Sequence, residues 1–127
     1  MKELRQLPNF IVKGFEKKYD ICDIISEFER PKSLGMNKDK ANEYVEEYWS
    51  KSNLDAPYGS NNESFKQFNN RVCSFIDNEL QNYPDKTIIF GHGTWFAMLC
   101  FKFLGYNKVN EYNMRKFRRF SDWIFSA

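Results

Sequence analysis

The sequence predicts an α/β domain, and three stretches carry that prediction. In "TIIFGHGTWFAMLCFKFLG" (87–105) a short, partly β-branched apolar run stops at Gly91, a Gly-His-Gly break follows, and an apolar run long enough for a helix comes next. Before it, "ESFKQFNNRVCSFIDNELQNY" (63–83) spaces Phe65, Phe68, Val72, Phe75, Ile76 and Leu80 as one helical stripe, with charge and amide on the other face. "DICDII" (20–25) is short and rich in isoleucine, which suits a strand. Strand, helix and strand-turn-helix in that order read as helices packed on a mostly parallel sheet.

Taken in order, Leu4, Leu7, Ile11 and Phe15 recur at helical spacing over about 3–19, with Pro8 tolerated in a first turn. A strand follows at 20–25. "SLGMNKDKANEYVEEYWSKS" (33–52) reads as a loop and then a helix from about Lys38 to Ser50, presenting Tyr44, Tyr48 and Trp49. Residues 51–62 are loop-like, with Pro57 and Gly59, and Asn61 or Asn62 offers a side-chain acceptor to cap the next helix. That helix runs from Glu63 to about Tyr83, and "YPDK" (83–86) turns the chain. "TIIF" (87–90) is expected as a strand buried on both faces. The helix after the break should close at Gly105. "FSDWIFSA" (120–127) alternates partly and is expected as an edge strand.

The bulk numbers fit one domain over 1–127 with a sizeable core: 42% hydrophobic and 28% charged residues, with thirteen Phe, seven Tyr and three Trp. A formal net charge of +2 argues against a general polyanion binder. The basic run "MRKFRRF" (114–120) is therefore read as an exposed connector with solvated charges, and no nucleic-acid partner is expected. Cys22, Cys73 and Cys100 are odd in number, far apart and set in apolar patterns, and with one histidine no zinc-type spacing can be assembled. Buried thiols suit a reducing cytoplasm. The start lacks a signal peptide's apolar core, and no stretch reaches the roughly 18 apolar residues of a membrane span, so no membrane partner is expected.

His92, the one histidine, sits at the Gly-His-Gly break. A strand, a tight glycine turn and a helix aim backbone N–H groups at a point past the strand's end, where the helix dipole favours an anion. Ligands of open α/β sheets bind at that edge. An imidazole there can donate to a phosphoryl oxygen, and small neighbours at Gly91 and Gly93 let a ligand approach the backbone. His92, Gly93 and Thr94 are thus the phosphate-binding candidates. The competing reading is a histidine that only caps the turn or bonds a nearby carbonyl. An α/β-hydrolase oxyanion loop would need a G-x-S-x-G elbow and a second histidine, and neither is in the sequence. A Cys-His nucleophilic pair with Cys22 or Cys73 is disfavoured because both cysteines lie in apolar stripes.

The order of these pieces resembles the histidine phosphatase superfamily, the phosphoglycerate-mutase-like fold. "ESFKQFNNRV" opens a long helix, a polar turn leads to "TIIF", and His-Gly at the strand end leads to a helix closed by glycine, "FAMLCFKFLG". "IISEFERP" (24–31) resembles the family's L-x-E segment after a short strand. The resemblance implies a three-layer sandwich with a mostly parallel sheet, chemistry that needs no metal or cofactor, and a phosphate-containing small molecule or phosphoester as substrate. It matches His92 to the histidine that lines the phosphate pocket and stabilises the transferring phosphoryl group. It matches Glu27 to the acid that protonates the leaving oxygen, with Glu29 as the fallback. Glu63 and Ser64 match the "ES" that starts the long helix.

One departure weighs on function. The family's signature is an N-terminal strand ending in Arg-His-Gly, whose histidine takes the phosphoryl group. This sequence contains no such motif and no second histidine, and Arg5 is the only residue offered as a remnant of a further phosphate-binding arginine. The expectation is an N-terminally truncated or degenerate domain with weak or no turnover. Two alternatives stand beside it: an active phosphatase completed by a missing N-terminal segment or partner chain, and a non-catalytic interaction module. Loss of a central strand would leave unpaired edges, so a homodimer or a partner chain is also expected.

Overall fold

The fold was analysed in a computed structural model, in which residues 20–32 and 37–126 are described. The helix expected over 3–19, and Arg5 with it, lie outside those residues. The α/β sandwich is corrected: the described residues form helices, with no strand and no sheet, and the β pairing among them is an isolated antiparallel bridge between Pro57 and Ser64.

Four α-helices make the frame of the described residues. Helix α1 spans Lys38–Lys51, α2 Phe65–Ser74, α3 Gly93–Phe103 and α4 Glu111–Phe125. Helix α2 runs on through a π-helical turn at Phe75–Glu79 and a 3-10 turn at Leu80–Asn82, so the long helix expected over 63–83 is present with a loosened second half. A 3-10 turn at Asp23–Ile25 precedes α1.

Each start has a local cause. The Asn37 side chain accepts the Lys40 N–H (2.8 Å) and starts α1. Ser64, not Asn61 or Asn62, caps α2: its hydroxyl accepts from Gln67 N (3.1 Å) and the Gln67 side chain accepts from Ser64 N (2.9 Å), a capping box. Asn110 caps α4 through Asn113 N (2.8 Å). Helix α1 ends at Ser52, left-handed at φ 50°, whose buried hydroxyl donates to Trp49 O (3.0 Å) and accepts from Arg115 Nε (3.1 Å). Gly105 follows the end of α3 at φ +100°, where a side chain would be strained.

The strand expectations fail for identifiable reasons. "FSDWIFSA" continues α4, because Met114, Phe117 and Ser121 are buried at intervals of three and four and carry the helical period to Phe125. The same helix takes up "MRKFRRF", so that run is a helix face with Met114 and Phe117 in the core, not a connector. "DICDII" is drawn into the 3-10 turn, with Ile25 buried. Residues 87–90 form neither helix nor strand, and Ile88 is exposed, so the strand expected to be buried on both faces is not formed.

The core is a continuous aromatic stack. Phe28 lies flat on Phe68 (centroids 4.7 Å apart, planes 3° apart) and against Tyr58 (4.7 Å), and Trp49, Phe65 and Phe117 close round them edge-on or tilted. Helix α3 packs on α2 and α4, α1 packs on α4, and the 3-10 turn packs on α2. Phe101 joins this core from α3 through Phe117 (5.5 Å). The opposite face of α3 leaves Phe96, Phe103 and Leu104 exposed.

A polar corner at the start of helix α3

Helix α3 begins directly after His92, so its first N–H groups lack acceptors inside the helix. Glu27, far away in sequence, supplies them. Its Oε2 accepts the Thr94 N–H (3.0 Å), and its Oε1 accepts the Trp95 N–H (2.8 Å) and the N–H of its own neighbour Phe28 (3.1 Å). A carboxylate at a helix N-terminus is favoured by the macrodipole as well as by these bonds, by roughly 0.3–1 kcal/mol at an exposed site. His92 is the N-cap residue in extended backbone (φ −102°, ψ 164°); its carbonyl accepts from Phe96 N (2.9 Å) and its side chain makes no capping bond. The carboxylate that caps this turn is therefore Glu27's, and the His92 imidazole is half-buried.

Both glycines of the break are explained by close approach. A Cβ on Gly91 would lie 2.9 Å from the Trp95 indole, and one on Gly93 would lie 3.1 Å from the ring of Phe125, which the end of α4 lays over the start of α3.

The structure brings Glu27, His92, Gly93 and Thr94 to one place and sets Glu29 elsewhere. Glu29 is exposed, and its carboxylate accepts from Ser60 Oγ (3.0 Å). Its carbonyl sits so close to Gly59 that a Cβ there would overlap it. Of the two candidate acids, Glu27 is the one at the α3 corner.

Arg71 is the residue that sequence reasoning missed. Its guanidinium makes a two-point ion pair with Glu63 (Nε–Oε2 2.8 Å, Nη2–Oε1 2.9 Å) and also donates to the carbonyls of Ile24 (2.9 Å), Ser26 and Glu27 (3.5 Å). Both partners are mostly covered, with 17% and 16% of their side-chain surface exposed. A signal was present: Arg71 stands three residues after Phe68 and four before Phe75, inside the buried stripe of α2, where a cation needs a partner.

Elsewhere the chemistry is quiet. Burial pushes the Cys100 thiol up, away from thiolate character, and pushes the Lys102 ammonium down while it donates to Tyr106 O (3.0 Å). Among the described residues no group of three or more His, Cys, Asp or Glu side chains could hold a metal ion, and no helix is long and apolar enough to cross a membrane.

The family model for the histidine phosphatase superfamily (branch 1) matches residues 9–118, most of the chain. No match to a curated protein or to a solved structure was found. The matched span includes Glu27, Glu63, Arg71 and His92, so the polar corner lies within it. The chain belongs to the histidine phosphatase superfamily.

Proposed function

We propose that the corner at the start of α3 is the phosphate end of a histidine-phosphatase site, in which His92, Gly93 and Thr94 bind the phosphoryl group and Glu27 is the acid. The observation that carries this reading is Glu27's carboxylate on the Thr94 and Trp95 N–H groups, directly beside the only histidine. Family membership supports a phosphatase-like protein with phosphate-containing substrates.

The chemistry divides by atom. Glu27 already holds the N–H groups of Thr94 and Trp95, so a bound phosphate lies beside that carboxylate and is met by the His92 ring, the Gly93 N–H and the Thr94 hydroxyl. In this reading Glu27 is the group that hands a proton to the leaving oxygen. A phosphohistidine route also needs a second histidine as acceptor, in line with the leaving group. This sequence has one. The proposal is therefore a phosphate-binding, degenerate or truncated domain with little turnover of its own, acting in the cytoplasm and able to gain activity if a segment or partner chain supplies the acceptor.

Calorimetric titration with orthovanadate, alongside assay of p-nitrophenyl phosphate hydrolysis, tests this. Saturable vanadate binding that disappears in His92→Ala, with hydrolysis close to the uncatalysed rate, is expected. Vanadate binding unchanged in His92→Ala, or none in the wild type, contradicts it. The second outcome would favour a non-catalytic interaction module, a reading supported by exposed Phe96, Phe103 and Leu104 on α3.

A further inference from the structure

Residues 24–28 place the acid of the proposed site, yet they have no sheet to fix them. Their carbonyls need donors, and Arg71 provides them from α2: Nη1 reaches Ile24 O and Ser26 O, and Nη2 reaches Glu27 O. The remaining side of the guanidinium is locked by both oxygens of Glu63, the residue just before the α2 cap. Its plane also lies over the ring of Phe68, 5.2 Å from the centroid. Phe68 in turn stacks on Phe28, which is 1% exposed. Glu27 is thus bracketed, with its upstream carbonyls on a guanidinium and its downstream neighbour sunk in the core.

We propose that Arg71, oriented by Glu63, is a positioning residue that fixes the Glu27 carboxylate on the first turn of α3. It does so through backbone carbonyls and makes no contact with substrate. The placement of Glu27 stands on this geometry alone; its meaning for catalysis rests on the function proposed above. Lysine cannot substitute fully. A planar fork with five donors serves Glu63 and three carbonyls together, whereas an ammonium has three donors and no fixed plane.

Amide hydrogen exchange on the unliganded protein is the test. The Thr94 and Trp95 N–H groups belong to the first helical turn and have no intrahelical acceptor, so the Glu27 carboxylate provides their hydrogen bonds. In Arg71→Met these two amides should exchange on the order of tenfold faster over and above any common acceleration of amides within α1 and α4, which reports global stability, and they should do the same in Glu27→Ala. Arg71→Lys should recover part of the protection, and Glu63→Gln should lose part of it. Wild-type exchange at Thr94 and Trp95 in Arg71→Met would overturn the proposal. So would equal acceleration at every helix, which would make Arg71 only a stability residue. If Arg71→Met does not fold, Arg71→Lys and Glu63→Gln decide by the same criterion: selective loss at the two amides supports positioning, and uniform or absent loss refutes it. Exchange is measured without phosphate, so a wild type that ignores vanadate would sink the functional reading and leave this result standing.

Discussion

Glu27 and Phe28 are neighbours in sequence and belong to two differently built regions. Phe28 enters the aromatic core, where Phe68, Trp49 and Tyr58 surround it with ring contacts that accept many arrangements. Glu27 enters the polar corner, which is held by a few directional bonds from Thr94, Trp95 and Phe28. The core takes its stability from the area removed from water, and the corner takes its geometry from donors and acceptors that fit one way. The two should therefore fail asymmetrically: damage to the core lowers the stability of everything, and damage to the corner changes the site while the fold persists.

The largest effect expected is in the core. Phe68→Ala removes a fully buried ring stacked on Phe28 and should cost about 3–5 kcal/mol in urea unfolding, lowering the protection of core and corner together. A loss confined to α2 would break the comparison.

Next is the joint between the regions. Glu63→Gln leaves a mostly covered guanidinium without its charge partner and should cost about 1–3 kcal/mol, read in the same unfolding experiment. Ser64→Ala, one residue on, removes the capping box and should cost about 1 kcal/mol while leaving the corner intact. If Ser64→Ala disturbed Thr94 and Trp95 as much as Glu63→Gln does, the effect of Glu63 would be helix capping and not the Arg71 clamp.

An alkaline titration sharpens the core side. Burial pushes the Tyr48 phenol up to about 12, and it donates to Ala56 O (3.0 Å). In the folded state the proton is held more tightly than in the unfolded chain, so this contribution is complete below pH 10 and is lost as pH rises toward 12. Unfolding measured across that window should show stability falling in the wild type, and a flatter profile in Tyr48→Phe. The smallest effect belongs to the surface. The Glu47–Lys51 pair is fully exposed, and Lys51→Met should leave the urea midpoint unchanged.

Helices were legible where the apolar period was long. Phe65, Phe68, Val72 and Phe75 mark α2, and the apolar run after Gly93 marks α3, because a helix makes its own backbone bonds and one face of packing is enough to reveal it. Strands were not legible in the same sense. "TIIF" and "DICDII" have strand composition, but a strand is defined by a partner, which a short apolar run does not specify. "FSDWIFSA" was misread because eight residues were taken apart from the period already set by Met114 and Phe117.

At the site, the resemblance pointed to Glu27 and His92, and the fold places Glu27 on the turn that follows His92. Residue spacing alone could not have paired them, since Glu27 reaches the Thr94 N–H across 67 positions of sequence, from a segment held by a guanidinium on α2. Glu63 was matched, with Ser64, only to the "ES" that starts the long helix. Its stronger bond runs eight residues forward to Arg71, outside the range of a capping pattern.

The claim that joins these observations is that the corner beside Glu27 receives phosphate through His92. Because the sequence contains one histidine, its imidazole gives a single set of proton and nitrogen resonances, free of overlap from other rings. Titrating phosphate and then vanadate should shift those resonances saturably. Gly93→Val, which pushes a side chain into the ring of Phe125 at the mouth of the turn, should abolish the response. Resonances that stay fixed at millimolar ligand, in a protein whose amide spectrum is that of the folded state, would contradict the account.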